Sequence, residues 1–433
     1  MLAVVAALLV VVVVLNVLKP GRSVPIPLHK RPATACTEHW VGSWEASPSG
    51  VSLTQPLADQ TLRMIIAPHL GGRILRIHLS NRFGAAPVTL GPVTIGVRDS
   101  GASLLPGSER QVTFGGRSSV VIPAGADAVS DPVMLSFGAF RDLAISVYVP
   151  GTVKNPDEHF STRQTSYLSP SGSGDHATQS SPAAFTEKTT GASSTGWYFL
   201  DGVDVEAPGS TGAVVAFGDS ITDGYQAKRN GTEQLSTINT NGRYPDDLAR
   251  RLIAANIPLS VLNAGIGANQ LMRSALPLYG PSGLSRFATD ALGEPGVTDV
   301  IVLEGLNDIA SGATANQLIA AYEQLINQAH AAGVAIQLGT LTPTGGTSSP
   351  AYGGAAATSV RNQVNQWIRT QAFSDGIVDF DAAVRDPHDP GTIAPAYNGG
   401  DDLHFDLAGY RALAAAVNLA LLARPNCVSA QRP

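Results

Sequence analysis

Ser220 follows an apolar, valine-rich run that ends in Gly218-Asp219-Ser220. Such a run is typical of a buried parallel strand, and open α/β sheets place their ligand sites at the carboxyl ends of their strands. A serine hydroxyl is a weak nucleophile and needs a histidine base that a carboxylate orients. Asp401 and His404 are three residues apart before the last predicted helix, so one helix-like turn puts both on one side. These residues predict a nucleophile, its base and the group that orients the base.

Attack on a carbonyl also requires hydrogen-bond donors for the oxyanion that develops. Residues 263–269 follow the second predicted strand of this region, and their glycines let backbone N–H groups approach a substrate. Asn307 follows the third predicted strand, where its side-chain amide can point at an oxyanion. The sequence therefore offers each part of an acyl-transfer site where a strand meets a loop.

Each of these residues also has an ordinary structural explanation. An asparagine after a strand is usually a turn or cap residue, and a histidine in a loop is usually structural or solvated. Asp401 and His404 could also be a pair of metal ligands, but the neighbouring sequence adds only carboxylates. We therefore expect no metal site, and acyl transfer needs no organic cofactor. The shared placement of the four blocks favours acyl transfer.

The region after residue 211 alternates apolar strands with helical stretches. This alternation implies crossover connections and a parallel sheet covered on both faces. The predicted strands are Ala213–Phe217, Leu259–Asn263, Asp299–Glu304, Ala335–Leu341 and Gly376–Phe380. The predicted helices cover 243–256, 282–292, 314–332, 357–374 and 406–422. We predict a three-layer α/β/α domain with a five-stranded parallel sheet over residues 211–425.

Residues 40–210 have a different pattern, in which short strands alternate apolar and polar residues with period two. Leu75, Ile77 and Leu79, for example, are separated by polar residues, and turn residues bound each run. This pattern predicts an antiparallel β-sandwich domain. Residues 169–195 are rich in Ser, Gly and Thr and are expected to form a long flexible loop.

The histidines and tryptophans of this first domain lack sequence partners that would mark a site. We therefore expect His69, His78 and His159 to be surface or structural residues. We expect Trp40 and Trp44 to lie in the core or at the domain interface, with a sugar-stacking platform as the alternative.

The segment 1–18 is almost continuously apolar, and basic residues follow it in the linker 19–39. Three explanations remain open: a cleaved export signal whose basic start is shortened or misassigned, an uncleaved membrane anchor, or a buried core helix. Export is favoured, so we expect a secreted or periplasmic protein, or one that this segment anchors to the membrane.

The chain has two cysteines, Cys36 and Cys427, near the two ends of the presumed mature chain. Ends of a domain often lie close together, so one disulfide is expected in an oxidising compartment. Two unpaired thiols are the alternative.

The composition excludes some classes of function. The formal net charge is −6 and no block of basic residues occurs, so a nucleic-acid partner is not expected. With 44% hydrophobic and 14% charged residues, the chain can bury a sizeable core. The sequence does not indicate an oligomeric state.

Taken together, the four blocks resemble the SGNH superfamily of GDSL-type esterases and lipases. The first block reads Gly-Asp-Ser-Ile at 218–221, the third reads Gly-x-Asn-Asp at 305–308, and the last reads Asp-x-x-His at 401–404. The region before them is similar to the leading part of a two-domain bacterial branch of these hydrolases, through WVGSWEASP at 40–48 and LSNRFG at 79–84.

The resemblance implies a role for each block. Ser220 would be the nucleophile and would also donate its backbone N–H to the oxyanion. His404 would act as general base and then as acid. Asp401 would hold the imidazole, with Asp402 and Asp406 as alternatives at less suitable spacing.

The resemblance also implies an oxyanion hole in which Asn307 donates its side-chain N–H. The position of the family's oxyanion glycine is Ala268 in this sequence. We expect the backbone N–H of Ala268 to be this donor, which requires that φ stays negative there. Gly267 is the alternative donor if the loop requires a positive φ.

The function that the resemblance implies is a serine esterase with an acyl-enzyme on Ser220. Its substrates would be short-chain acyl esters, acetyl esters of polysaccharides or lipid esters. The alternative is a non-catalytic cell-surface carbohydrate-binding protein with a degenerate hydrolase domain.

Overall fold

The computed structural model describes residues 34–35, 37–189, 195–226, 237–423 and 427–428. The predicted export or anchor segment and Cys36 lie outside the described residues. No helix within the described ranges is long and apolar enough to cross a membrane.

The first half of the chain is built from strands that pair antiparallel with one another, except β1, which pairs with the last described strand. Its strands are β1 (Thr34–Ala35), β2 (His39–Glu45), β3 (Gly50–Val51), β4 (Leu57–Ile66), β5 (Gly72–Asn81), β6 (Val88–Leu90), β7 (Val93–Val97), β8 (Arg110–Val112), β9 (Val120–Ile122), β10 (Ala126–Val129), β11 (Val133–Phe137), β12 (Leu143–Val153), β13 (Asp157–Phe160), β14 (Ser166–Leu168), β15 (Glu187–Thr189), β16 (Gly196–Tyr198) and β17 (Leu200–Ala207).

Two large sheets form the body of this β domain. One has the order β10-β5-β17-β2, with β11 also paired to β5, and the other has the order β15-β14-β4-β12-β7-β8. Apolar residues from both sheets belong to one hydrophobic core. On β5 the predicted alternation is confirmed, because Leu75, Ile77 and Leu79 are buried whereas Arg76 and His78 are half-exposed.

The predicted loop at 169–195 is confirmed over residues 169–186, which hold no helix or strand, whereas Glu187–Thr189 form a short strand. The described part of the loop is packed and not free. The carbonyl of Ala177, a fully buried residue, accepts a hydrogen bond from Thr94 at 2.6 Å. The carbonyl of Gln179 accepts one from Arg63. This Ser- and Gly-rich segment is packed against the β domain because its backbone carbonyls satisfy buried side chains.

The second half of the chain is the predicted α/β domain. Its strands are β18 (Gly212–Gly218), β19 (Leu259–Gly265), β20 (Val297–Leu303), β21 (Ala335–Gly339) and β22 (Gly376–Val378), and the last described strand is β23 (Cys427–Val428). Its helices are α1 (Ser220–Asp223), α2 (Tyr244–Ala254), α3 (Gly283–Phe287), α4 (Leu306–Ala310), α5 (Ala315–Ala332), α6 (Pro350–Gly353), α7 (Ala355–Thr370), α8 (Phe380–Val384) and α9 (Leu407–Ala416). A π-helical turn, Ala288–Leu292, continues α3.

Strands β18 to β22 form the five-stranded parallel sheet in the order β19-β18-β20-β21-β22. The chain runs outward from β18 to β19 and then crosses over to β20 on the other side. The strand order thus reverses between β18 and β20. In such sheets ligands bind where the order reverses, outside the carboxyl ends of the strands. Ser220 follows β18 at that place.

The β domain closes the outer edge of this parallel sheet. Ala46 forms a parallel bridge with Asn263 of β19. The Nδ1 atom of His69 lies 2.6 Å from the carbonyl oxygen of Val261, also on β19. Its Nε2 atom lies 2.9 Å from Oδ1 of Asp246 on α2. The hydrophobic core is continuous across the two domains.

The two ends of the described chain meet in a small parallel sheet. Strand β1 pairs with β23, so that Thr34 lies opposite Cys427 and Ala35 opposite Val428. The disulfide between Cys36 and Cys427 stays a prediction, because Cys36 lies outside the described residues.

Candidate active site

Ser220 is held by a buried strand end and the first turn of a short helix. All residues of β18 are buried, and a Cβ on Gly218 would lie 2.2 Å from the carbonyl oxygen of Leu303. Only glycine permits this close approach of β18 to β20. Asp219 caps α1 by accepting the backbone N–H of Ile221 at 3.0 Å. Ser220 therefore begins α1 at a fixed position above the sheet.

The structure brings Ser220, His404 and Asp401 into one hydrogen-bonded chain. Oγ of Ser220 lies 2.9 Å from Nε2 of His404, and Nδ1 of His404 lies 2.7 Å from Oδ2 of Asp401. The other carboxylate oxygen of Asp401 accepts the backbone N–H of His404 at 2.8 Å. The geometry is that of a nucleophile, its base and a carboxylate that orients the base.

Asp401 is a stable anion in this arrangement. Partial burial alone would raise the pKa of Asp401, but the hydrogen bond and charge of His404, with two backbone N–H groups, lower it to about 2. The carboxylate therefore accepts hydrogen bonds and fixes the orientation of the imidazole over the whole working pH range.

The other two acidic residues of this loop do not contact the imidazole. Asp402 accepts a hydrogen bond from Asn398. Asp406 caps α9 by accepting the backbone N–H groups of Ala408 and Gly409 at 2.8 and 2.9 Å. Of the three candidates, Asp401 is the one placed to orient His404.

Asn307 lies in α4, which follows β20, and its side-chain amide has a fixed orientation. Its Nδ2 donates to the carbonyl of Asn269 at 2.8 Å, while its Oδ1 accepts a hydrogen bond from the hydroxyl of Tyr352 at 2.7 Å. Because Nδ2 carries two protons, one N–H remains to donate elsewhere. Sequence reasoning found Asn307 but missed Tyr352, which lies 45 residues away on α6.

Ala268 has a φ of +57°, so the expected negative φ at this position is wrong. The second block keeps the left-handed backbone that suits glycine, and an alanine there costs about 1–2 kcal/mol. Within the described residues, neither Gly267 nor Ala268 donates its backbone N–H to a protein acceptor. Both N–H groups are therefore candidates for the second oxyanion donor.

Arg286 of α3 ties the loops of the site together, and no sequence signal marked it. Its three guanidinium nitrogens donate to the carbonyls of Gly218 and Ala264 and to Oδ1 of Asn269, all at 2.8–2.9 Å. The side chain is buried and its charge lies over the ring of Phe217. One residue thus fixes the carboxyl ends of β18 and β19 and the loop that contacts Asn307.

Several buried carboxyl groups lie near the loops of the site. Asp308 accepts the backbone N–H groups of Leu271 and Met272, as expected of a residue that braces a loop. Burial raises the pKa of Asp219 to about 6 and that of Glu304 to about 8. Glu304 lies near Arg286, with an N–O distance of 3.8 Å.

The β domain also reaches this site, which the sequence did not indicate. His159 is buried, and its Nε2 lies 3.1 Å from Oδ1 of Asp223 at the end of α1. Of the two predicted roles, surface or structural, His69 and His159 have the structural one, because both are buried and each contacts a carboxylate of the α/β domain. His78 contacts Asp204 within its own domain at 2.7 Å.

The two tryptophans of β2 contact residues of the β domain. Trp44 is in the core and meets the ring of Trp197 edge-on, whereas Trp40 lies against Arg76.

Within the described residues, no group of three or more His, Cys, Asp or Glu side chains could hold a metal ion.

The chain is similar to solved structures of bacterial hydrolases. The lipase/acylhydrolase from Enterococcus faecalis is 21% identical, with a TM-score of 0.35, over 48% of this chain and 93% of the other. The carbohydrate acetylesterase family member from Sinorhizobium meliloti is 17% identical, with a TM-score of 0.38, over 48% and 95%. The aryl esterase from M. smegmatis is 16% identical, with a TM-score of 0.39, over 48% and 96%. No curated protein matches the chain.

The family model of the GDSL-like lipase/acylhydrolases matches residues 216–412. This range holds all four loops of the site described above. Residues 216–412 of this chain therefore belong to the GDSL-like lipase/acylhydrolase family.

Proposed function

We propose that this protein is a serine esterase that hydrolyses carboxylic esters through an acyl-enzyme on Ser220. The observation that carries this proposal is the chain of hydrogen bonds from Ser220 through His404 to Asp401, with distances of 2.9 and 2.7 Å. These distances are within the range that proton transfer between a nucleophile and its base requires.

In the first half of the reaction, Oγ of Ser220 attacks the acyl carbon and its proton passes to Nε2 of His404. The carbonyl oxygen becomes an oxyanion, which the free N–H of Asn307, the backbone N–H of Ser220 and an N–H of residue 267 or 268 stabilise. Collapse of this intermediate breaks the bond to the alcohol oxygen. His404 gives its proton to that oxygen, and the alcohol leaves.

In the second half, a water molecule gives a proton to His404 and attacks the acyl carbon. The same donors stabilise the second oxyanion. Ser220 then leaves with the proton from His404, and the carboxylic acid is released. Asp401 stays ionised throughout and stabilises the imidazolium of His404 in both halves.

The proposed substrates are short-chain acyl esters or acetyl esters of polysaccharides. A fused β domain and the predicted export of the chain favour a substrate outside the cytoplasm, such as an acetylated polysaccharide. Within the described residues, no long apolar helix covers the site as a lid that would point to long-chain lipids.

The test is the Ser220→Ala variant assayed with p-nitrophenyl acetate. We expect loss of nearly all turnover with an unchanged fold, whereas Ser311→Ala, at the exposed end of α4, should retain wild-type activity. Wild-type turnover by Ser220→Ala would refute the acyl-enzyme.

A fluorophosphonate probe separates this proposal from a carbohydrate-binding protein with a degenerate hydrolase domain. An active serine reacts with the probe and Ser220→Ala does not. A wild-type chain that fails to react would favour the binding protein. Activity that EDTA abolishes would instead point to a metal-dependent mechanism.

A further inference from the structure

Three segments of the α/β domain carry the donors of the proposed oxyanion hole. The backbone N–H of Ser220 follows β18, the N–H groups of residues 267 and 268 follow β19, and the amide of Asn307 follows β20. These segments are far apart in the chain. The spacing between the donors therefore depends on contacts that join the three strand ends.

The guanidinium of Arg286 joins the first two segments directly. Its Nη2 atom donates to the carbonyl oxygen of Gly218 at 2.9 Å, two residues before Ser220. Its Nη1 atom donates to the carbonyl oxygen of Ala264 at 2.8 Å, near the end of β19. The carbonyl of Gly218 also accepts the backbone N–H of Ile266 at 3.1 Å. One oxygen atom thus connects Arg286 and β18 to the chain that leaves β19.

Asn269 extends this network to Asn307. Nε of Arg286 donates to Oδ1 of Asn269 at 2.9 Å, and the backbone carbonyl of Asn269 accepts Nδ2 of Asn307 at 2.8 Å. The side-chain amide of Asn269 also donates to the carbonyls of Tyr279 and Pro281, at 2.6 and 2.8 Å. Arg286 is therefore linked to the third segment through one intermediate residue.

The N–H groups of residues 267 and 268 lie between two fixed points, Ile266 and Asn269. Ala268 has a φ of +57°, a strained value for alanine that persists only where the surroundings enforce it. Arg286 acts on both ends of this short loop, so it supplies part of that enforcement.

Arg286 is too deeply buried to meet the substrate. Its side chain is 2% exposed, with Nη1 3.5 Å from Oδ2 of Asp290, and its guanidinium carbon lies 4.0 Å from the centroid of the Phe217 ring. A side chain in this position can influence the reaction only through the atoms that it holds.

We propose that Arg286 is a positioning residue of the oxyanion hole, which sets the spacing of the three donors without contacting the substrate. This inference rests on the proposed esterase function and extends it. Donors that are fixed in place before the reaction stabilise an oxyanion better than donors that must reorganise. Arg286 therefore contributes to the rate of the chemical step and not to binding of the ester.

The experiment compares Arg286→Lys with the wild type on p-nitrophenyl acetate. Lysine keeps the positive charge but has no planar fork that could match the three acceptors. We expect kcat per folded molecule to fall about 10- to 100-fold with KM changed by less than about threefold, because a displacement of about 1 Å can cost as much. A kcat within about twofold of the wild type would overturn the proposal, and so would an effect confined to KM.

Arg63→Lys is the matched control. Arg63 is a fully buried arginine of the β domain whose guanidinium donates to two backbone carbonyls and one side-chain oxygen and lies over an aromatic ring, those of Ala102, Gln179, Ser146 and Phe185. Its surroundings are of the same kind as those of Arg286, but they belong to the β domain. We expect both lysine variants to lose stability and only Arg286→Lys to lose kcat. An equal fall in kcat in both variants would show that general loosening of the fold is the cause, which would overturn the proposal.

Asn269→Ala tests the route through which Arg286 acts. The variant removes the side-chain acceptor of Arg286 and keeps the backbone carbonyl that binds Asn307. We expect kcat to fall, and we expect the double variant with Arg286→Lys to lose less than the product of the two single losses, because both changes break the same hydrogen bond. Losses that multiply would overturn the proposal. If Arg286→Lys does not fold, a wild-type kcat in Asn269→Ala would overturn it instead.

Reaction of each variant with a small fluorophosphonate distinguishes failure of this proposal from failure of the esterase function. If the wild type itself does not react, the esterase function fails. If the wild type reacts and Arg286→Lys retains its kcat, only the role of Arg286 is refuted.

Discussion

The hydroxyl of Tyr352 donates a hydrogen bond to Oδ1 of Asn307 at 2.7 Å. This bond fixes the orientation of the amide, with Oδ1 on the side of Tyr352 and Nδ2 towards the site. The same amide donates from Nδ2 to the carbonyl of Asn269 at 2.8 Å. An amide held at both ends cannot turn over, so its second N–H keeps one direction. The donor that we assign to the oxyanion is therefore preorganised before a substrate binds.

We expect Tyr352→Phe to lower kcat for p-nitrophenyl acetate by about 2- to 10-fold, the worth of one neutral hydrogen bond, with little change in KM. The variant removes the bond that orients the amide and leaves the ring in place. In an Asn307→Ala background the same change should have no further effect. An equal loss in both backgrounds would show that Tyr352 does not act through Asn307. Tyr167→Phe, in the β domain, is the control.

We expect Ala268→Gly to retain kcat within about twofold and Ala268→Val to lose both activity and stability, because a β-branched residue fits poorly at a φ of +57°. Relief of strain by glycine outweighs its extra freedom in the unfolded chain, so the melting temperature of the glycine variant should rise slightly. Thermal unfolding measures the stability of the two variants, and initial rates with p-nitrophenyl acetate measure their kcat. A valine variant as stable and active as the wild type would contradict a left-handed residue 268.

Glu304 makes stability fall as pH rises. Burial raises the pKa of Glu304 from its ordinary 4.5 to about 8, so the folded state holds a proton that the unfolded state releases between these values. The free energy of unfolding therefore decreases between pH 4.5 and about pH 8, and Glu304 does not change it below or above this range. Glu304→Gln should remove this loss and be more stable than the wild type at about pH 9, by on the order of 5 kcal/mol. Denaturant unfolding at about pH 5, 7 and 9 measures it, with the exposed Glu323→Gln as control. Parallel pH profiles for wild type and variant would contradict the prediction.

The pairing of β1 with β23 brings Thr34 opposite Cys427. We expect protein from an oxidising compartment to show no free thiol in denaturant, and Cys36→Ser to destabilise it by about 2–4 kcal/mol. Thiol titration and unfolding before and after reduction check this. Two titratable thiols per chain would instead support the unpaired alternative.

The parallel sheet could be predicted because each of its strands is marked by a short apolar run in the sequence. Each apolar run marked a strand within a few residues, as for β18, predicted as Ala213–Phe217 and observed as Gly212–Gly218. Ser220 and Asn307 follow from the same logic, because the carboxyl ends of parallel strands meet at one edge. The 401–404 loop precedes α9 and was recognised from the spacing of Asp401 and His404.

What the sequence did not reveal depends on contacts between distant residues. His69 meets Asp246 across 177 residues and His159 meets Asp223 across 64, and neither pair leaves a local pattern. Arg286 lies in an ordinary helical stretch, and only the fold turns it towards three acceptors. The φ of Ala268 was missed for another reason: alanine normally avoids the left-handed region, and here the surrounding loop imposes it.

The contacts of Ala46 and His69 with β19 protect an edge of the parallel sheet. A sheet edge left open would pair with other chains, and here the neighbouring domain of the same chain covers it. A chain cut between the two domains would uncover that edge. The α/β domain therefore depends on the β domain for the protection of this edge.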